Sequence, residues 1–138
     1  MARFFEFVGN HYILVSLFVV MLVMLIMLES RRGGQKLSPQ QVVSLLNRDE
    51  AIVLDIRERK EFTEGHITGS IHIPLAQIKD KLNTLKKHES KTIVVADKMG
   101  QHSALAVKQL TAEGLATVVR LNGGIAEWRA SNLPLVKK

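Results

Sequence analysis

An uncharged segment near the start of the chain constrains the fold most strongly. Residues 12–28, YILVSLFVVMLVMLIML, contain no charged side chain over 17 positions. As a helix this segment is ~26 Å long at ~1.5 Å per residue, at the short end of the ~17–25 residues that cross a bilayer. Aromatic side chains precede it, as in segments anchored at a membrane interface. The pattern predicts a transmembrane helix over 12–28, preceded by an N-terminal segment at 1–11.

Two other interpretations of this segment are a cleaved signal peptide and the core helix of a soluble domain. A signal peptide ends in small residues at an A-x-A-like cleavage site, and the following LESRRGG has no such pattern. A core helix normally has a polar face, which residues 12–28 lack. The retained membrane anchor is therefore the favoured interpretation.

The charges that flank the segment predict its orientation. Arg3 and Glu6 lie before it, and Arg31, Arg32 and Lys36 follow it. Because cytoplasmic flanks carry the excess of Lys and Arg, the domain that follows is expected in the cytoplasm. The expected location is a bacterial-type inner membrane, with a single pass.

The remaining chain divides into a linker at 29–35 and one domain at 36–136. The chain has 138 residues and a net charge of +6, with no cysteine, which excludes disulfides and every thiol-based mechanism. Basic residues are densest between Lys79 and Lys91. They suit a solvated helix face or, alternatively, contact with an anionic membrane surface. Nucleic-acid binding is not expected, because the charge is mixed and aromatics are not interleaved with it.

Within the domain, short apolar runs alternate with helical patterns. Ser38-Pro39 predicts a helix N-cap followed by proline at the first helical position. The predicted strands are 51–56, 71–73, 92–96 and 118–121, and the predicted helices after the first are 58–64, 76–87, 103–113 and one carrying Trp128. This alternation predicts an α/β fold with a parallel sheet covered on both faces.

One strand of this pattern ends in a short polar loop. In VVADKMGQHSA, residues 94–104, apolar residues lead into Asp97, and a helical pattern opens at Ser103. The carboxyl end of a strand at a helix start is where α/β proteins place anion-binding or reactive groups. The loop at 97–102 is therefore the candidate site.

Two stretches of the domain resemble a known family. Residues 55–74 contain the pattern DxR…EFxxGHIxGSxxIP, and residues 100–128 contain GQHS followed by LNGG and a tryptophan. Over roughly residues 36–136 this resembles a rhodanese-like domain, which implies a central parallel sheet flanked by helices. The positions that match the family's structural motifs are Asp55, Arg57, Gly65, His66, Gly69, Ser103, Gly123, Gly124 and Trp128.

The family's enzymes differ from this chain in the loop. Their loop begins with a sulfur-accepting cysteine, typically in CxxGxRS, and this alignment puts Asp97 on the cysteine and His102 on the arginine. The six-residue loop fits the sulfurtransferases better than the related phosphatases, whose loops are one residue longer. Because a carboxylate cannot accept and release sulfur, Asp97 is expected to be a resident anion held by loop N–H groups. The loop that would form this anion cradle consists of Asp97, Lys98, Met99, Gly100, Gln101 and His102.

Several of these residues have alternative roles. Asp97 could act as a nucleophile or general base, and a metal could bind to His66, His72, His102 and Asp97, although no ligand spacing is recognisable. Asp55 and Arg57 are expected to form structural hydrogen bonds or an ion pair near the loop. The glycines are expected in turns, and Trp128 in the core or in a lid. No cofactor and no metal are expected.

Two functions follow from these patterns. The favoured hypothesis is a membrane-tethered, catalytically inactive rhodanese-like domain that acts as an interaction or regulatory module for another protein, including a membrane protein. The alternative is a sulfurtransferase-related enzyme with chemistry centred on the 97–102 loop.

Overall fold

The computed structural model describes residues 1–32, 34–115 and 117–137. The chain forms two compact units, Met1–Arg31 and Arg32–Lys138.

The first unit consists of two helices separated by a sharp bend. α1 (Ala2–Asn10) and α2 (Tyr12–Arg32) meet at His11, whose φ of −123° and ψ of 35° lie outside the helical region. The axes of Ala2–Asn10 and Tyr12–Leu28 are inclined by 91°. Gly9 and Asn10, which are poor helix formers, come just before the bend.

The membrane-spanning potential of this unit depends on both helices. Among the described residues, no single helix is both long and apolar enough to span a bilayer, whereas α1 and residues 12–28 together meet that standard as a bent pair. No residue of α1 is buried.

α2 extends beyond residue 28, through Arg32, and so includes the first residues of the predicted linker at 29–35. Residues 29–32 include neither glycine nor proline, so nothing in them breaks the helix. Residue 33 of this linker, like residue 116 of the predicted domain, lies outside the described residues.

The second unit is an α/β domain. Its strands are β1 (Lys36–Leu37), β2 (Ala51–Asp55), β3 (Ile71–His72), β4 (Thr92–Ala96) and β5 (Val118–Leu121). Its helices are α3 (Pro39–Asn47), α4 (Arg59–Glu64), α5 (Leu82–Lys86), α6 (Ser103–Ala112) and α7 (Gly124–Ala130), with a 3-10 turn at Leu75–Gln77.

The five strands form one parallel sheet in the order β1-β5-β4-β2-β3. The parallel arrangement predicted from the sequence is confirmed. The short strand β1 was not predicted, since two residues are too few to form a periodic pattern. It pairs with the end of β5.

Side chains on the two faces of the sheet enter two separate cores. On β4, Ile93 and Val95 pack on one face with Leu110 of α6, whereas Val94 packs on the other with Trp128 of α7. The alternation follows from the two-residue period of a strand. Helices therefore cover both faces, as predicted.

Two helix predictions had different outcomes. Ser38 caps α3 as predicted and forms a complete capping box with Gln41. The predicted helix 76–87 is wrong, because it is divided into the 3-10 turn and α5. Ile78 and Leu85 are nonetheless fully buried. A 3-10 turn followed by a short helix buries the same positions as one continuous helix, so the periodicity of apolar residues does not distinguish the two structures.

Candidate functional site

The carboxyl ends of three neighbouring strands bring the candidate residues together. In the register of β2 and β4, Asp55 lies opposite Ala96, the residue before Asp97. The adjacent strand β5 ends at Leu121 and leads into the turn that begins α7. Parallel strands place these three ends at one edge of the sheet, where ligands bind in open α/β folds.

The Asp97 side chain is enclosed by its own loop. It is 2% exposed. Oδ1 accepts a hydrogen bond from the Gly100 N–H at 2.7 Å, and Oδ2 accepts one from the His102 N–H at 2.7 Å. These short distances are typical of a charged acceptor. The positive φ of Gly100, +91°, belongs to the turn between these two donors.

The start of α6 adds to this electrostatic environment. α6 begins at Ser103, directly after the second donor, so Asp97 lies at the positive end of the helix dipole. Ser103 is 1% exposed, and its Oγ donates to the Gly100 carbonyl at 3.2 Å. The loop therefore holds an anion, and that anion is the chain's own carboxylate.

The first turn of α7 fixes the loop from the other side. The N–H groups of Ile125 and Ala126 donate to the carbonyls of Asp97 and Lys98, at 2.8 and 3.0 Å. Gly123 and Gly124 have φ of +73° and +63° before these donors. Gly123 is the N-cap of α7 and Gly124 is its first residue, so both glycines form the turn into this helix, where a left-handed backbone is needed.

Asp55 and Arg57 form a buried ion pair beside the loop. The Arg57 Nη2 donates to the Asp55 Oδ2 at 2.8 Å, and the Arg57 backbone N–H donates to Oδ1 at 3.0 Å. Nη2 also donates to the Gly65 carbonyl at 2.6 Å. Asp55 is fully buried and Arg57 is 7% exposed. The pair therefore ties the end of β2 to the segment after α4.

Two histidines stack on the same aromatic ring. Phe62 lies between His66 and His72, at centroid distances of 3.9 and 4.4 Å. The His66 Nδ1 donates to the Phe62 carbonyl at 2.9 Å, and the His72 Nε2 donates to the Arg57 carbonyl at 2.7 Å. Both imidazoles therefore hold backbone in place. The role of His72 was missed, since a single polar residue in a short strand gives no sequence signal.

The alternative metal site is not assembled in the described part of the chain. No three His, Asp or Glu side chains there are grouped so that they could hold a metal ion. The His66 and His72 rings contact Phe62, and Asp97 is bonded to its own loop.

A cavity of about 690 Å³ lies over the loop. One side is formed by loop residues, including Met99, which is 58% exposed. The facing side comes from α4 and its N-cap, where Glu61 lies 3.8 Å from the Lys98 Nζ. The α4 side was missed, because a charged helix gives no indication of what it faces. The lining residues are Ile56, Arg57, Glu58, Lys60, Glu61, Glu64, Leu75, Asp97, Lys98, Met99, Gln101 and His102.

Trp128, Gly69 and His66, the other residues of the family motifs, occupy core, turn and backbone-pairing positions. Trp128 is 3% exposed, and its Nε1 donates to the Pro134 carbonyl at 3.0 Å, so it belongs to the core. Gly69 has a φ of +77° in an open turn. The His66 backbone N–H donates to the Val136 carbonyl at 2.9 Å.

A five-stranded parallel sheet whose middle strand ends in an anion-holding loop at a helix start defines a class of α/β proteins with a loop-centred site. A family model described as the rhodanese-like domain matches residues 38–131. The chain belongs to the rhodanese-like family, as its motifs predicted.

Curated relatives and a solved structure agree with this assignment. The chain is 33% identical over 141 residues to the uncharacterized protein YibN of Escherichia coli K12, covering 99% of both chains. It is 31% identical over 97 residues to the thiosulfate sulfurtransferase GlpE of Pseudomonas putida F1, covering 70% of this chain and 86% of that one. A rhodanese-related protein from Thermoplasma volcanium superposes with a TM-score of 0.68 at 30% identity, covering 75% of this chain and 99% of that one.

Proposed function

We propose that this chain is a membrane-anchored rhodanese-like domain that has no sulfur-transfer activity of its own and acts by binding another protein. The observation that carries the proposal is the side chain of Asp97. Both of its oxygens accept loop N–H groups, at 2.7 Å each, in the position that the family resemblance assigns to the catalytic cysteine.

The chemistry of sulfur transfer supports an inactive domain. A transferred sulfur atom needs a polarisable nucleophile such as a thiolate, and the chain contains no cysteine. The donors that would stabilise a bound anion at Gly100 and His102 are already occupied by a carboxylate. An incoming sulfur anion would have to displace a buried charge of the same sign.

A sulfurtransferase assay tests this part of the proposal. With thiosulfate and cyanide, the full-length protein should form thiocyanate only at the uncatalysed rate. The double variant Asp97→Cys with His102→Arg should acquire a persulfide, detectable by mass, because it restores the thiol and the cation. The matched variant Asp97→Asn with His102→Arg should not. Turnover by the unaltered protein would contradict the proposal.

The anchoring part of the proposal rests on residues 12–28. This uncharged run is just below the usual length of a span, and bilayers adapt to a short hydrophobic stretch by local thinning. With the charge bias around it, the proposed location is a bacterial-type inner membrane with the domain in the cytoplasm. The protein should resist extraction by alkaline carbonate. Because the chain lacks cysteine, Glu89→Cys provides a single labelling site, which should react only after the membrane is permeabilised.

Partner binding is supported by the cavity over the loop. A methionine that is 58% exposed at its edge offers an adaptable apolar contact. Tethering would raise the effective concentration toward a membrane partner without any new contact. A photoreactive side chain at Met99 should crosslink one discrete protein in native membranes. The same probe at Lys86, an exposed position on α5, is the control and should not.

A second candidate function is an enzyme with chemistry centred on the 97–102 loop. It is favoured by the 31% identity to a protein named as a thiosulfate sulfurtransferase. Asp97 would then act as a nucleophile or base. Turnover that is lost in Asp97→Asn would favour this candidate over the binding module.

A further inference from the structure

Helix α1 has two chemically distinct faces. Arg3, Glu6 and Asn10 follow the i, i+3, i+7 spacing and share one side of the helix, together with Phe7, whose ring stacks on His11. Phe4 and Phe5 lie on the other side, 65% and 67% exposed. Removing these two rings from water would be favourable, so this face can bind an apolar surface.

The bend at His11 is stabilised by local contacts. The backbone N–H and the Nδ1 of His11 both donate to the Phe7 carbonyl, at 3.0 and 3.2 Å. The His11 ring also stacks on the Phe7 ring, with centroids 4.6 Å apart. These contacts satisfy a carbonyl at the end of α1 and pack His11 against that helix, and the axis of Tyr12–Leu28 leaves it at 91°.

This angle determines where α1 lies if α2 crosses a bilayer. The uncharged part of α2, residues 12–28, extends ~26 Å at ~1.5 Å per residue, slightly less than the ~30 Å hydrocarbon core, which thins locally to match a short span. A helix at a right angle to such a span runs parallel to the membrane surface. α1 also lies at the end of the bilayer's hydrocarbon core, where the interfacial layer begins.

We propose that α1 binds in the interfacial layer of a phospholipid bilayer, with Phe4 and Phe5 in the acyl boundary. This inference rests on the proposed membrane anchor. The charge on α1 suits this occupant, because the Arg3 side chain adjoins the two phenylalanines and complements lipid phosphates. Amphipathic helices of this kind bury their apolar face ~5–10 Å into the boundary.

Spin labels on single cysteines test the proposal in the full-length protein, reconstituted in phosphatidylethanolamine and phosphatidylglycerol vesicles. Phe4→Cys and Glu6→Cys form a matched pair, since at ~100° per residue they lie on opposite sides of α1. Val20→Cys probes the middle of α2. Collisions with oxygen, which concentrates in lipid, are compared with collisions with a nickel chelate, which stays in water.

The expected result is a severalfold higher oxygen-to-nickel ratio at Phe4 than at Glu6, with the highest ratio at Val20. Three outcomes at the α1 sites would overturn the inference while Val20 stays in lipid. Equal exposure of both sites to nickel would place α1 in water, and equal exposure to oxygen would make it part of the span. Protection of the Phe4 site from both reagents would place that face against protein. Exposure of Val20 to nickel would instead contradict the proposed anchor.

Discussion

The Cα of Gly124 lies against the backbone carbonyl of Asp97, so closely that a Cβ on Gly124 would overlap the carbonyl oxygen. The same Cβ would lie 2.9 Å from the Gly100 nitrogen, which is one of the two donors to the Asp97 carboxylate. The start of α7 and the loop are therefore packed backbone to backbone. A substitution in either segment should therefore perturb the backbone of the other.

Gly124→Ala should be strongly destabilising. Its φ of +63° adds strain of about 1–2 kcal/mol, and the overlap adds about 1–3 kcal/mol more. The measurement is urea unfolding of the full chain in mild detergent, followed by Trp128 fluorescence, which reports on the domain because Trp128 is the chain's one tryptophan. Gly69→Ala is the control, since its φ of +77° is similar but its Cβ position is open. Equal losses for both would contradict the packing argument.

Asp97→Asn should lower the free energy of unfolding by about 1–3 kcal/mol, because the amide NH₂ would face one loop N–H and leave it unsatisfied. The contrast is Asp49→Asn, at a side chain that is 86% exposed in its ion pair with Lys91. That change should stay within about 0.5 kcal/mol. The same unfolding assay measures both. If Asp97→Asn left the free energy of unfolding unchanged, the stability of the loop would not depend on its resident charge.

Arg57→Met and Lys91→Met compare two ion pairs of the same 2.8 Å length that differ in burial. Removing Arg57 leaves Asp55 buried and uncompensated, so a loss of about 3–5 kcal/mol is expected. Removing Lys91 should cost no more than about 1 kcal/mol, because its partner is exposed to water. Comparable losses in denaturant midpoints would mean that burial does not set the strength of these pairs.

Ser38→Ala should cost about 1 kcal/mol, whereas Ser38→Gly should cost only a few tenths. The Ser38 Oγ accepts the Gln41 N–H at 3.3 Å, and the Gln41 Oε1 accepts the Ser38 N–H at 2.9 Å. Thermal unfolding of the two variants measures the difference. If alanine were tolerated as well as glycine, the capping box would contribute little to α3.

Local signals in the sequence were sufficient for most of the domain. The strands at 92–96 and 118–121 have the predicted bounds, because each is an apolar run of the length that a buried strand needs. The cap at Ser38 is equally local, since its partner is three residues away. The helix at 76–87 was wrong because its periodicity reports burial, and a 3-10 turn followed by α5 buries the same residues.

Contacts between distant residues had no such signal. The motif pattern indicated that Asp55 and Arg57 would pair. It did not indicate that Arg57 would also donate to the Gly65 carbonyl, because that contact depends on the path of the chain after α4. Nothing near His72 indicated that its ring would stack on Phe62 and bond to the Arg57 carbonyl. The facing position of Glu61 across the cavity was equally absent from the pattern.

The sequence by itself determined the alternation of strands and helices along most of the domain, the six-residue loop, and a chain without a thiol. These properties follow from the identity and spacing of residues within one or two turns of each other. The tertiary structure alone decided that Asp97 turns inward onto two amides, that Gly124 packs on its carbonyl, and that α1 leaves α2 at 91°. Those outcomes depend on strand register and on backbones meeting at close range, which no periodicity encodes.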